Sequence, residues 1–237
     1  MGLILNIETS TKTCSVNLSE KGEVIENREI SSEKYIHGEQ LHLLIKELFT
    51  TSKISIEKLN AVAVSSGPGS FTGLRIGVSA AKGLSFALNI PLISMDAIEI
   101  MIQKYNMIST NKKAIFFPMI DARRNEVYTA SYNIHKNKID EIHCPEIDEV
   151  FLSNYMKYNE IVFLGEGSKK FKEKFNNQKI RIDDIALNSS LGMVKYTYQK
   201  YLKEKFENIS YFNPFYYKDF PSTQKKLGKF YHRIKNL

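Results

Sequence analysis

SSGPGSFTGLRIG, at residues 65–77, is the stretch that decides the fold of this chain. The apolar run at Ala61–Val64 before it predicts a buried strand. Gly67-Pro68-Gly69 predicts a turn, since glycine adopts backbone angles that other residues avoid and proline fixes its φ. Ser70 is a favourable N-cap, so we expect a helix from about Phe71 to Leu88. The first N–H groups of such a helix point back over the strand end, which is a place suited to an anion.

The predicted helix carries Gly73, Gly77 and Ala81 at intervals of four residues, with Ala80 beside them. Each glycine inside a helix costs about 1 kcal/mol relative to alanine, so a stripe of small residues indicates that another backbone packs closely there. Two interpretations stay open: tight packing onto the protein's own sheet, or a docking face for a partner helix. Gly73 is not followed by the Lys and Ser or Thr of a Walker A loop, so the motif specifies no nucleotide phosphate site.

The pattern of strands and helices occurs twice along the chain. Strands are predicted at 3–8, 14–18 and 24–30, then a helix at 37–51, the strand and helix within 61–88, a strand at 92–94 and a helix at 96–105. The second half is predicted to have strands at 114–121, 127–132, 139–144 and 161–164, and helices at 146–158, 168–175 and from Ser189 or Ser190 to about 206. Such repetition indicates a duplicated α/β fold whose halves are 1–108 and 109–237, divided near 107–112.

Composition is that of an ordinary globular protein, with 43% hydrophobic and 25% charged residues. No apolar run approaches the ~20 residues of a membrane helix. The two cysteines provide neither a disulfide framework nor a zinc ligand set. The apolar N-terminus is short and lacks a basic leader, so the sequence predicts a cytoplasmic protein without a signal peptide.

The net charge of +7 is concentrated near the C-terminus. Residues 169–237 contain 16 Lys and Arg and 6 Asp and Glu, whereas residues 1–168 contain 17 and 20. A basic terminus favours either contact with RNA phosphates or a solvated tail, and the second interpretation is preferred.

Arginine, aromatic and histidine residues that could bind a ligand also have a simpler structural interpretation. Arg123 and Arg124 lie in a predicted turn, where they bind phosphate or are merely solvated. The aromatic segment at 211–217 stacks on bases or, as we expect, packs the C-terminus onto the body. His37 and His42, five residues apart on a helix, lie about 140° from each other, so one metal ion does not take both.

GPGSFTGLRIG at 67–77 resembles the signature of the TsaB (YeaZ) family, which acts in tRNA threonylcarbamoyladenosine biosynthesis and is related to the catalytic subunit TsaD. The similarity includes LILNIETST at 3–11, IHGEQL at 36–41 and MIDARRNEVY at 119–128, and it covers the first 130 residues best. The resemblance implies the actin-like ATPase (ASKHA) fold of the actin, sugar kinase and Hsp70 superfamily.

In that superfamily, acidic residues at the positions that correspond to Glu8 and Asp121 hold Mg²⁺ or orient a nucleophile. TsaB proteins usually have Asp in place of Glu8. The alternative is that both acids cap turns. The implied nucleotide or anion site comprises Glu8, Ser10, Gly67, Gly69 and Asp121. TsaD proteins carry an HxxxH metal pair, which this chain lacks. We therefore expect no catalytic residue, no metal and no cofactor, with weak ATP or ADP binding left open.

The resemblance implies a non-catalytic subunit that scaffolds and activates TsaD in a TsaB–TsaD–TsaE complex, which transfers threonylcarbamoyl to the adenosine beside the tRNA anticodon. The chain would contact tRNA only through the complex, and alone it would form a homodimer. The implied partner-interface residues come from two helices: Ile36, His37, Glu39, Leu41, Ser70, Thr72, Gly73, Ile76, Gly77 and Ala80. The alternatives are a metal-dependent glycoprotease-like peptidase and a stand-alone ATP-binding protein.

Overall fold

Two mixed sheets, each flanked by helices, make up the molecule, as predicted. The computed structural model describes residues 2–218 apart from Tyr35, Met107, Ile108, Thr110, Lys112, Asn176 and Ala186. The basic end of the sequence from 219 onward, and most of the predicted division at 107–112, lie outside these residues.

The first sheet has the strand order β3-β2-β1-β4-β5. Its strands are β1 Leu3–Glu8, β2 Thr13–Glu20, β3 Glu23–Ser31, β4 Ala61–Gly67 and β5 Leu92–Asp96. β1 to β3 form an antiparallel meander, whereas β4 lies parallel to β1 and β5 parallel to β4. Every strand predicted in this half is confirmed.

Three helices of the first half are confirmed: α1 His37–Ser52, α2 Phe71–Leu88 and α3 Ala97–Lys104. The Ser70 hydroxyl accepts the Gly73 N–H and caps α2, and Asn89 ends the helix in the left-handed conformation. Alternate residues of β1 pack on opposite faces of the sheet. Leu5 and Ile7 belong to the core beneath α1 and α2, and Ile4 belongs to the core on the other side.

The second sheet has the order β10-β9-β6-β7, with β8 also paired to β6. Its strands are β6 Ala114–Asp121, β7 Val127–Thr129, β8 Tyr132–Asn133, β9 Glu160–Leu164 and β10 Ile180–Asp183. The predicted strand at 127–132 is interrupted, and β10 was not predicted. The strand predicted at 139–144 is wrong. Isolated bridges take its place, because the Asp140 carboxylate turns inward and accepts hydrogen bonds from Ser131 and Tyr155.

Helices of the second half are shorter than predicted. α4 covers only Glu149–Ser153, since the rings of Phe151 and Tyr155 pack edge-on against Phe117 and the chain turns to bring them there. A 3₁₀ helix occupies Glu166–Phe171 in place of the helix predicted at 168–175.

After Asn188 the chain returns to the first sheet. The predicted long helix is a 3₁₀ turn at Ser190–Gly192, capped by the Ser189 hydroxyl, followed by α5 Val194–Leu202. Met193 of this segment joins the core beside Ile4, and the Thr197 hydroxyl donates to Asn6 Oδ1 of β1 at 2.8 Å. The division into 1–108 and 109–237 stays a prediction. Among the described residues, no helix has the length and apolarity needed to cross a bilayer.

The small-residue face of α2 packs against the turn between β1 and β2. A Cβ placed on Gly73 would lie 2.2 Å from the Thr9 carbonyl oxygen, and one on Gly77 would lie 2.2 Å from Thr9 Oγ1. The Thr9 hydroxyl donates to the Gly73 carbonyl oxygen at 2.8 Å. The prediction that Gly73 and Gly77 contact a partner is therefore wrong, because both face the chain's own turn.

Gly73→Ala and Gly83→Ala, in the same helix, test this packing. The first places a methyl group against backbone and should destabilise the protein by about 1–3 kcal/mol, as overpacking does. The second adds a methyl group in open space, since no atom lies within 4 Å of the Gly83 Cβ position. It should stabilise the helix by up to about 1 kcal/mol. Urea unfolding measures both, and equal effects of the two substitutions would contradict the packing described.

Candidate functional site

The predicted partner-interface residues divide into two groups in the structure. His37, Leu41, Gly73, Gly77 and Ala80 are buried within the chain. Burial lowers the pKa of His37, and the backbone carbonyls of Thr9 and Thr11 act against this shift. The remaining residues reach the surface at least in part: Ile36, Glu39, Ser70, Thr72 and Ile76.

A groove of about 620 Å³ runs between the outer faces of α1 and α2. Its walls come from Gly38 and His42 of α1 and from six residues of α2: Arg75, Ile76, Ser79, Ala80, Gly83 and Leu84. The helices approach each other closely here, since the Cβ position of Gly38 lies 3.8 Å from Ile76 Cδ1. Leu43 of α1 is 52% exposed and Phe86 of α2 is 80% exposed. The two helices thus present a shallow, mostly apolar surface.

Arg75 is held at one side of this groove by the C-terminal segment. Its guanidinium lies 4.0 Å from the centroid of the Phe71 ring, and its Nε donates to the Tyr216 hydroxyl at 3.3 Å. The rings of Phe71 and Tyr216 are 4.7 Å apart. No sequence pattern indicates that Arg75 and Tyr216 meet, because they are 141 positions apart.

Four of the five residues predicted for a nucleotide or anion site come together at the end of β1. Glu8 is fully buried, and its Oε1 accepts the Ser10 N–H at 2.5 Å. The Ser10 carbonyl oxygen accepts the Ser70 N–H at 2.7 Å, and a Cβ on Gly69 would lie 2.2 Å from that oxygen. The N–H groups of Ser70 and Gly73, at the start of α2 where an anion was expected, are therefore bonded within the chain.

Further contacts cover the same place. The Phe215 N–H donates to the Ser66 carbonyl oxygen at 2.7 Å, and the Phe215 carbonyl oxygen lies 2.8 Å from the Cβ position of Gly67. On the other side, Asn188 Nδ2 donates to Ser10 Oγ at 3.0 Å. The expectation that the aromatic segment packs onto the body is confirmed for its described residues.

Asp121 does not join this group. It ends β6 in the second sheet, accepts the Arg123 N–H at 2.6 Å and pairs with Lys170 at 2.5 Å. No hydrogen bond or ion pair joins Asp121 to Glu8 among the described residues. Its interpretation as a turn cap is confirmed.

Burial raises the pKa of Glu8 to about 7, despite hydrogen bonds from Ser10. The pKa of the neighbouring Cys14 thiol rises to about 12, mainly through burial and further through the charge of Glu8. Within residues 2–218, apart from the seven exceptions given above, no cluster of three His, Cys, Asp or Glu side chains is arranged to hold a metal ion.

Comparisons with known proteins agree with the resemblance in the sequence. A family model described as TsaD, tRNA N6-adenosine threonylcarbamoyltransferase, matches residues 24–219. The tRNA threonylcarbamoyladenosine biosynthesis protein TsaB of Escherichia coli (strain K12) is 29% identical over 234 residues, covering 95% of this chain and 99% of that protein. The protein of the same name from Bacillus subtilis (strain 168) is 30% identical over 175 residues, 72% of this chain and 73% of that protein.

Among solved structures, YeaZ from Pseudomonas aeruginosa has a similar fold. Its TM-score is 0.74 at 21% sequence identity, over 91% of this chain and 100% of that chain. This likeness, together with the two mixed sheets, confirms the predicted fold class.

Glu8→Gln tests the burial of the Glu8 carboxyl through its effect on stability. A folded pKa of about 7 against 4.5 means that the folded state holds the Glu8 proton more tightly, so the contribution of Glu8 to stability is full below pH 4.5 and is lost as the pH rises to 7. At pH 8 the variant should be more stable than the wild type by up to about 3 kcal/mol, and near pH 4.5 the two should be equal.

Urea unfolding across this pH range measures the difference. Glu47→Gln, on the exposed side of α1, is the matched control and should follow the wild-type profile. A Glu8→Gln profile parallel to that of the wild type would contradict the raised pKa.

Proposed function

The chain belongs to the family described as tRNA N6-adenosine threonylcarbamoyltransferase and, within it, to the TsaB (YeaZ) proteins. From this premise, we propose that it is a non-catalytic subunit of the threonylcarbamoyladenosine machinery. In this proposal, a TsaD-type transferase performs the chemistry on tRNA and this chain activates it by binding. A TsaE-type ATPase joins the same assembly, and the chain works in the cytoplasm.

The groove between α1 and α2 is the observation that carries the proposal. Its lining is mostly apolar and small, with Gly38, Ser79, Ala80 and Gly83 leaving room for the side chains of another helix. Exposed apolar surface of this kind marks protein interaction sites. Leu43 and Phe86 add large apolar side chains to the surface of the same helices. Without the transferase, the same groove accepts a second copy of the chain.

The surroundings of Glu8 support a non-catalytic role. The carboxylate has no exposed surface, and Ser10 and the start of α2 close over it through backbone hydrogen bonds. A nucleotide phosphate would have to displace the Ser10 carbonyl from the Ser70 N–H and the Phe215 backbone from Gly67. We therefore propose that the chain uses no nucleotide or metal of its own at this place.

Reconstitution with purified components tests whether the catalytic activity belongs to the other subunits and not to this chain. The isolated chain should show neither ATP hydrolysis nor threonylcarbamoyl transfer to tRNA, and addition of the transferase and the ATPase should produce modified tRNA. Glu8→Gln should support this modification as well as the wild type does. Turnover by the pure chain that Glu8→Gln abolishes would contradict the proposal and favour an ATP-binding enzyme.

Gly83→Arg tests the groove directly. The substitution places a long charged side chain in the groove, where no atom of the chain lies within 4 Å of the Cβ position, so folding should be preserved. Because a charge would be buried without a partner, affinity for the TsaD-type transferase should fall by about tenfold or more. Gln178→Arg adds the same charge at an exposed position before β10 and should have no effect.

Calorimetric titration of each variant with the transferase gives the affinities, and circular dichroism checks that the fold is retained. Equal binding by wild type, Gly83→Arg and Gln178→Arg would exclude the groove as the docking surface.

A further inference from the structure

The turn between β6 and β7 presents two adjacent arginines in an unfavourable backbone conformation. Arg123 has φ 67° and Arg124 has φ 52°, both in the left-handed region. Residues with a Cβ avoid this region, and a turn with two such residues in succession is normally built from Asn-Gly or Gly-Gly. Both arginines are exposed, so no packing in the core explains their presence. Strained positions that lack a packing reason concentrate at functional sites.

The strained turn is held firmly from beneath. Asp121 Oδ1 accepts the Arg123 N–H at 2.6 Å, and the Arg123 carbonyl accepts the Glu126 N–H at 3.2 Å. Lys170 Nζ reaches up from the 3₁₀ helix and donates to the carbonyl oxygens of Arg124 and Glu126 at 2.7 Å and 3.0 Å. The backbone beneath the two arginines is therefore fixed before any ligand arrives.

The acids of this turn are already engaged by lysines. Asp121 pairs with Lys170 at 2.5 Å, and Glu126 pairs with Lys218 at 2.6 Å. Neither Arg123 nor Arg124 takes part in an ion pair among the described residues. Besides the Lys218 hydrogen bond, Arg124 lies near enough to Glu126 to help lower the pKa of that carboxyl, but neither guanidinium is within ion-pair distance of an acid among the described residues.

More positive charge lies beside the turn. Lys169 is an exposed neighbour of Lys170 on the same 3₁₀ helix. Lys218 also contacts the turn, since its Nζ donates to the Ala122 carbonyl oxygen at 3.2 Å.

We propose that Arg123 and Arg124 bind backbone phosphates of RNA, so that this chain itself contacts the tRNA that the assembly modifies. The identification of the RNA as tRNA rests on the proposed function. The chemistry rests on the turn, because a guanidinium binds two phosphate oxygens at once and needs a fixed direction of approach. In this proposal, the two neighbouring arginines contact phosphates of one RNA strand. The contact reads no base and depends on salt, as phosphate contacts do.

The decisive variant is Arg123→Asn with Arg124→Gly. Asn-Gly suits the left-handed backbone, so the double variant should keep or raise the melting temperature while removing both guanidinium groups. The matched control is Lys104→Asn with Lys113→Gly. It removes the same charge from two exposed positions away from the turn, since Lys104 ends α3 and Lys113 precedes the start of β6.

Fluorescence anisotropy of a labelled tRNA transcript with the full chain gives the affinity at several salt concentrations. At about 50 mM salt, the Asn-Gly variant should bind about tenfold more weakly than the wild type, and the slope of log K against log salt should become shallower by about 1–2. Arg123→Lys with Arg124→Lys should lose less affinity, and the control should bind like the wild type.

The proposal would be overturned by unchanged binding and slope for the Asn-Gly variant, by an equal loss in the control, or by absence of wild-type binding even at low salt. Competition by millimolar ATP as strong as that by unlabelled tRNA would overturn it in favour of a nucleotide phosphate. The Asn-Gly variant should keep its affinity for the transferase. Docking and RNA contact are thus measured separately, and failure of one is distinguishable from failure of the other.

Discussion

The contact between the turn after β1 and the glycine face of α2 is the constraint on which the rest of the structure depends. Thr9 lies so close to α2 that a Cβ at Gly73 or Gly77 would meet it at 2.2 Å. Ser10 continues this contact by accepting the first N–H of the capped helix. Only a face without side chains permits this approach, which explains why the helix tolerates glycines that lower its intrinsic stability.

Two consequences follow from that contact. Ser10 and the start of α2 cover the end of β1, and the resulting burial raises the pKa of the Glu8 carboxyl to about 7. The opposite face of α2 turns outward beside α1, which creates the groove lined by Ser79, Ala80 and Gly83. The fold thus covers the end of β1 with the chain's own groups and leaves the outer faces of α1 and α2 exposed around the groove.

The sequence was informative where local chemistry decides structure. α2 has the predicted bounds because Ser70 caps its start and Asn89 takes the left-handed conformation at its end. The candidate site was harder to predict from the sequence. Glycines spaced by four residues show that another segment packs closely against the helix, but they do not show which segment it is. Thr9 is 64 positions from Gly73, and such a long-range contact leaves no periodic signal. The strand at 139–144 failed for a similar reason, because Asp140 bonds to Tyr155 across a loop.

Hydrogen–deuterium exchange of the chain, with and without the TsaD-type transferase, tests the central claim most directly. The account predicts slower exchange in peptides covering α1 at 37–52 and α2 at 71–88, with exchange around α4 and β10 unchanged. Stable association that leaves both helices unprotected, with protection confined to the second sheet, would contradict it.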